Sequence, residues 1–171
     1  MSQAVENLLM DIGHKNEFDP VLMELAERIS KEGNCKRRSV GAVIARNGTV
    51  LTTGVNGVAS KFIDCIQAGC PRCISGGSVG MGYDLCICIH GEQKAVANAA
   101  RDGVAVGGST MYVNVRPCLS CLVVIHHAGV RRVFFKEDWS YPPSIEAVYQ
   151  MLASAFEVFE HRELCGSSSK T

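Results

Sequence analysis

Two short segments carry side chains whose types and spacing could do chemistry together: His90-Gly91-Glu92 and Pro117-Cys118-Leu119-Ser120-Cys121. Cys118 and Cys121 stand three residues apart, so in a helix both sulfurs emerge on one face of the first turn. The unpaired N–H groups and the helix dipole there favour thiolate over thiol, and thiolate is the form that binds zinc. The His90 imidazole and two thiolates make three protein ligands. A zinc with three ligands keeps its fourth position for water, as catalytic rather than structural sites do. Water at such a position is acidified toward neutrality and becomes a nucleophile. Glu92, two residues beyond His90, is not a ligand but stands close to that water, where a carboxyl serves as the proton shuttle.

Seven further cysteines stand outside this set. Cys70-Pro71-Arg72-Cys73 is a knuckle-like CxxC, and with Cys35, Cys65, Cys86 and Cys88 it offers six thiols for a four-coordinate structural zinc. Such a second ion would hold closed the glycine- and cysteine-rich insertion of residues 57–88, a stretch too long for an unbraced loop. Which four thiols bind is left open, as is the alternative that all six stay reduced and unliganded. His14, His126, His127, His161 and Cys165 fall in no pattern and receive no role.

These residues need elements to position them. Asp19-Pro20 reads as an N-cap with proline at the first helical position, and Leu22, Leu25, Ala26 and Ile29 follow at helical spacing toward an end near Gly33. Residues 39–46 and 50–55 read as strands, with Asn47-Gly48 between them a strong hairpin signal. Residues 91–101 are helical in composition, 110–115 a strand, 118–128 a helix with Cys118, Cys121, Leu122 and Ile125 on one face, and 130–136 a strand. Pro143-Ser144 opens a last helix, and residues 156–159 form a final short strand. This order predicts an α/β fold in three layers, a mixed sheet between helices. A frayed start and a disordered tail from Cys165 flank it.

With 171 residues, 47% hydrophobic and 20% charged, the chain fits one globular domain. Seventeen basic residues balance seventeen acidic ones, and aromatics make up only 6%. Neither the basic stripe nor the stacking surface expected of a polynucleotide binder is present. No membrane-spanning run and no secretory signal is visible, so the reading is a soluble, cytoplasmic protein whose thiols stay reduced.

HxE followed by PCxxC is the pattern of zinc-dependent nucleobase deaminases. The chain resembles the deoxycytidylate (dCMP) deaminase family within the cytidine deaminase-like superfamily, from about Cys35 to Lys136. Cys35-Lys36-Arg37-Arg38-Ser39-Val40-Gly41-Ala42-Val43-Ile44 is similar to the family's first strand with its basic lead-in. Gly54-Val55-Asn56-Gly57 is similar to its GYNG turn, and GCPRC followed by CxCxH to its fungal-type members. The resemblance implies a five-stranded core, a homo-oligomer, His90, Cys118 and Cys121 as zinc ligands, Glu92 as acid/base, and Asn56 as a sugar contact. It also allows for allosteric control by nucleotides.

The expected reaction is hydrolytic conversion of dCMP to dUMP with release of ammonia. Four departures from the family pattern surround the expected pocket: Gly91 for alanine, Val55 for tyrosine, Ala59 for proline, and the Asn114-Val115-Arg116 run. They keep open another amino-heterocycle or a modified cytosine nucleotide as substrate. Gly91 in particular either widens the pocket by about one carbon or is merely accepted at a helix start. A zinc-stabilised binding protein without activity is the reading from a different class, disfavoured by Glu92, which zinc binding does not require. For a phosphate, Lys36, Arg37, Arg38 and Arg116 are the available cations; Arg38 and Arg116 are the candidates for phosphate or base contacts, the alternative being a solvated charge run.

Overall fold

The computed structural model describes residues 19–58, 65–76 and 82–162. The expected frayed start, the tail from Cys165, His14 and Ala59 lie outside the described residues.

Helix α1 spans Asp19–Ser30. Its Leu22, Met23 and Ala26 are buried against Val43, Ala45, Tyr112 and Phe134 of the sheet. The helix stops three residues short of the expected end, in a turn where the Gly33 N–H donates to the Ser30 carbonyl at 3.0 Å. Asp19 does more than start the helix: it is buried, accepts from the Tyr112 hydroxyl at 2.5 Å and pairs with Arg162, tying the two ends of the described chain together.

Strands β1 (Gly41–Arg46) and β2 (Thr49–Val55) form the expected hairpin. Asn47 and Gly48 both take left-handed backbone angles, φ 51° and 77°, as a tight turn of the type Asn-Gly favours requires. Strands β3 (Thr110–Val115), β4 (Arg132–Glu137) and β5 (Val158–His161) complete a five-stranded sheet in the order β2-β1-β3-β4-β5. β1 runs antiparallel to β2 and β3, whereas β3, β4 and β5 are parallel. The last strand begins two residues later than the sequence pattern predicts, because a turn at the end of the preceding helix takes up Phe156.

Two short elements lie in the cysteine-rich insertion, helix α2 (Pro71–Ile74) and a 3₁₀ turn at Tyr83–Leu85. Helices α3 (Gly91–Arg101), α4 (Leu119–His127) and α5 (Pro143–Ala153) cover the sheet face opposite α1. Alternation along the strands divides the core accordingly. Ala42, Ile44, Met111, Val113, Val133 and Phe135 face α3, α4 and α5, while Val43, Tyr112 and Phe134 face α1. The result is the expected three-layer α/β/α sandwich with a mixed five-stranded sheet.

This topology brings two helix starts to one edge of the sheet. β3 leads through Arg116 and Pro117 directly into α4. Just past β2, Gly57 and Ile89 exchange backbone hydrogen bonds at 3.1 and 2.9 Å, which sets the start of α3 beside the end of β2. Gly54 permits the close approach of that helix. A Cβ there would lie 2.2 Å from the Gly91 carbonyl oxygen and 2.3 Å from the Ala95 nitrogen.

Candidate active site

His90 is the N-cap of α3 and Cys118 the N-cap of α4, both with extended backbone angles. The His90 N–H donates to the Gln93 side chain at 3.3 Å, and the Leu119 N–H at the start of α4 donates to the Tyr141 hydroxyl at 3.0 Å. So held, the two helix starts converge. His90 Nδ1 lies 3.3 Å from Cys118 Sγ and 3.4 Å from Cys121 Sγ, and the two sulfurs are 3.4 Å apart. Tetrahedral zinc bonded at ordinary lengths separates such atoms by about 3.5–3.8 Å, so a small outward relaxation of the trio admits the ion.

Glu92 supplies the second observation on fit. It is only 3% exposed, and its Oε2 is buried without a hydrogen-bond partner beside the trio. A buried carboxylate oxygen left unpaired is costly, and a polar ligand or the chemistry of a bound ion is what such an atom is placed for. Burial, helped by the neighbouring Cys118 sulfur, pushes the Glu92 carboxyl up to about 7.

The two cysteines differ more than the helix-start argument predicts. A hydrogen bond from Cys121, against the opposing effect of burial and with help from His90, brings Cys118 down to about 4. Ser120 Oγ also lies 3.2 Å from its sulfur. Burial pushes Cys121 well above the ordinary thiol range, so binding of zinc there would release a proton.

His90, Cys118 and Glu92 line a cavity of about 210 Å³, while Cys121 is fully buried next to them. The cavity walls include Arg37, Arg38, Asn56, Arg72, Tyr83, Arg116 and Trp139, so four arginines line it together with one carboxylate, that of Glu92. Arg38 lies exposed among the wall residues. Arg116 lines the cavity as well, but its guanidinium is bound to Glu146 Oε1 at 2.5 Å and to the Trp139 carbonyl, and is stacked 3.9 Å above the Tyr149 ring. Asn56 uses its amide on the chain itself: Oδ1 accepts from the Val40 N–H at 2.8 Å and Nδ2 donates to the Arg38 carbonyl at 2.6 Å. Asn114 repeats the device from β3, accepting from the Gly41 N–H at 2.8 Å and donating to the Ser39 carbonyl at 3.0 Å. Two asparagines thus clamp the segment that carries Arg37 and Arg38 into the cavity wall.

Gly91 corrects one expectation. A methyl group at this position would lie 2.8 Å from the Val40 carbonyl oxygen and 3.3 Å from that of Gly54. It would press on backbone rather than project into the cavity, so the glycine accommodates helix packing and does not widen the pocket.

The cysteine insertion forms a separate cluster. Cys35, Cys65 and Cys73 converge within 4.8 Å, as do Cys65, Cys70 and Cys88, the two triads sharing Cys65. Cys70 and Cys73 are 3.5 Å apart across the start of α2. Cys86 turns toward the Cys88 carbonyl at 3.9 Å and belongs to neither triad. Sequence reasoning did not find Arg72 and Tyr83 as cavity residues. Both lie in the irregular insertion, where no periodicity indicates direction, and only the thiols flanking Arg72 marked its backbone as fixed.

A family-wide sequence profile described as the cytidine and deoxycytidylate deaminase zinc-binding region matches residues 16–137. The deoxycytidylate deaminase of Schizosaccharomyces pombe is 35% identical over 134 residues, covering 76% of this chain and 41% of that one. That of Saccharomyces cerevisiae is 36% identical over 122 residues, covering 71% and 38%. The chain therefore spans about two fifths of the length of these yeast relatives. The crystal structure of dCMP deaminase from cyanophage S-TIM5 in complex with dCMP and dUMP superposes with a TM-score of 0.65 at 30% identity, covering 85% of this chain and 97% of that one. On the trio, the fold and these matches together, the chain belongs to the cytidine and deoxycytidylate deaminase family, with its zinc-binding region.

Proposed function

We propose that this chain is a single-domain, zinc-dependent aminohydrolase that converts dCMP to dUMP and ammonia, with His90, Cys118 and Cys121 holding the metal and Glu92 moving the protons. The observation that carries this reading is the buried Glu92 carboxyl, one oxygen unpartnered, beside three ligand atoms that lie within 3.4 Å of one another. The cyanophage enzyme of the same fold, whose structure holds dCMP and dUMP, supports the choice of substrate.

A zinc ion held by the trio would supply a water acidified enough to act as a nucleophile near neutral pH. Glu92 accepts the proton that this water releases and delivers it to the ring nitrogen next to the amino-bearing carbon. As the C–O bond forms at that carbon, the ring nitrogen gains its hydrogen. Glu92 then passes the remaining water proton to the amino group, the C–N bond breaks, and ammonia leaves a carbonyl behind. Burial serves this role by keeping the carboxyl away from bulk water. Arg38, with Arg37, lines the cavity as a cation for the phosphate, and the Asn56 and Asn114 amides hold their backbone in place.

A second zinc in the thiol cluster belongs to the same reading. Five thiols, those of Cys35, Cys65, Cys70, Cys73 and Cys88, converge there, and a four-sulfur site is the closed geometry of structural zinc. All eight cysteines among the described residues are free thiols, which fits a reducing, cytoplasmic setting. Exposed Val123 and Val124 on α4 and Val148 and Met151 on α5 supply apolar surface for a homo-oligomer. Among the described residues no helix is long and apolar enough to cross a membrane.

The test is ammonia release from a panel of cytosine and adenine nucleosides, mono- and triphosphates and free bases, using zinc-loaded protein. The expected result is highest kcat/KM on dCMP. No release from dCMP above a no-enzyme control would overturn the assignment.

A further inference from the structure

We infer that Arg116, paired with Glu146, is a positioning residue for the metal centre: the pair holds the junction between β3 and α4 in the conformation that presents Cys118 to zinc. This inference rests on the zinc reading above. Arg116, Pro117 and Cys118 lie between the end of β3 and the first residue of α4. The backbone there is gripped from one stretch of the chain, residues 137–149. The Arg116 N–H donates to the Glu137 carbonyl at 2.8 Å, and the Arg116 carbonyl accepts from the Trp139 indole N–H at 2.8 Å. The Pro117 carbonyl accepts from the Tyr149 hydroxyl at 2.8 Å, and the Leu119 N–H donates to the Tyr141 hydroxyl at 3.0 Å.

The Arg116 side chain binds that stretch together. Its guanidinium donates to the Trp139 carbonyl and to Glu146 Oε1, the latter at 2.5 Å, and stacks 3.9 Å above the Tyr149 ring. The other Glu146 oxygen accepts from the Tyr141 N–H at 3.0 Å. Three residues that grip the junction are thus themselves held by the pair: Trp139 at its carbonyl, Tyr141 at its N–H and Tyr149 at its ring face.

The Arg116 side chain is only 6% exposed and that of Glu146 22%. For an ion pair withdrawn this far from water, desolvation offsets much of the attraction, so its expected contribution is to geometry rather than to net stability. Groups that orient metal ligands from outside act in that way, by fixing where the ligand atom stands. Arg116 lines the cavity, but on this view it serves the metal ligand next to it and not the phosphate of the nucleotide.

Arg116→Met, Arg116→Lys and the double variant Arg116→Met with Glu146→Gln test the inference through zinc affinity, read without turnover by competition with a chelator. Cys121→Ser, which lacks a ligand of the trio, identifies the trio's share of the bound metal. Arg116→Met removes the donors but keeps an apolar chain over Tyr149, and is expected to weaken zinc at the trio by about 10–100-fold, the range for lost outer partners of metal ligands. Arg116→Lys should recover part of the loss by restoring the charge without the fork. The double variant separates geometry from stability. With no charge left unpaired, it should regain most of the melting temperature lost in Arg116→Met while its zinc affinity stays low. With dCMP and saturating zinc, kcat of Arg116→Met should fall by about tenfold and KM change by less than about threefold. Unaltered zinc affinity in Arg116→Met, or an affinity that returns together with the melting temperature in the double variant, overturns the positioning role. A KM raised about tenfold at unchanged zinc affinity also overturns it and makes Arg116 a phosphate contact. Zinc-loaded wild type that releases no ammonia from dCMP would sink the deaminase reading and leave the affinity comparison standing, whereas a wild type with no zinc at the trio overturns both.

Discussion

The described residues hold two clusters of side chains that could ligate a metal; both meet the same cavity, and they differ in what surrounds the sulfurs. At the starts of α3 and α4, two sulfurs and one imidazole converge beside a buried carboxyl and open onto a cavity lined with arginines. In the insertion, five thiols converge beside Val58, with no carboxyl in either triad. Three ligands leave a place for water and substrate, whereas a surplus of thiols closes every position around an ion. Cysteine content therefore says little about which region does chemistry. The informative features are the missing fourth ligand and the acid beside it.

Metal removal should separate the two regions most sharply. Stripping all zinc with a strong chelator is expected to abolish ammonia release and to lower the melting temperature, and zinc analysis of the untreated protein should give about two ions per chain. One ion per fully active chain would remove the proposed second site. A narrower change, Cys70→Ser, addresses the insertion alone. It should destabilise the chain by more than about 2 kcal/mol, a fall in melting temperature of roughly 4–8 °C, with the ion at the trio retained. An unaltered melting curve and zinc content would show that Cys70 holds no metal.

Gly91→Ala is expected to have a smaller effect, and on stability rather than selectivity. The added methyl meets the Val40 carbonyl at 2.8 Å, so overpacking should cost about 1–3 kcal/mol. The ratio of kcat/KM for dCMP to that for its 5-methyl analogue should stay constant, and a ratio that moves tenfold would restore a pocket role for this position. The smallest effect is predicted for His127→Ala. His127 is exposed on α4, with Nδ1 2.8 Å from the Val123 carbonyl of its own helix, and its loss should change stability by no more than about 0.5 kcal/mol and leave zinc content unaltered.

What the sequence made legible was local. Asn47-Gly48 specified the β1–β2 hairpin, and the spacing of Leu22, Ala26 and Ile29 specified α1. HxE and PCxxC each encode a helix start with its ligands already at the right offset. The convergence of these two motifs was not local: the insertion separates HxE from β2, and the Gly57–Ile89 pairing returns the start of α3 to the end of that strand.

Other features depended on contacts that no spacing encodes. Arg116 and Glu146 are thirty residues apart, so the ion pair that occupies the guanidinium had no local signature. Asn56 was marked only by the resemblance, as a sugar contact, and Asn114 only as a departure from the family pattern; the structure shows both amides satisfying the backbone of residues 38–41. The direction of the missing Gly91 methyl depends on how α3 lies across β2. Tyr83 and Arg72 sit in an irregular segment whose path is set by thiols, not by hydrophobic period.

The most direct test of the central claim is a comparison of wild type with Glu92→Gln at matched zinc content, measuring ammonia release from dCMP. The amide keeps the shape of the side chain and leaves His90, Cys118 and Cys121 intact, but cannot carry protons between water, ring nitrogen and amine. The account predicts that zinc content is unchanged while kcat falls by about 10²–10⁴-fold, the range expected for loss of a general acid/base. Turnover within about threefold of wild type, with the metal still bound, would contradict it.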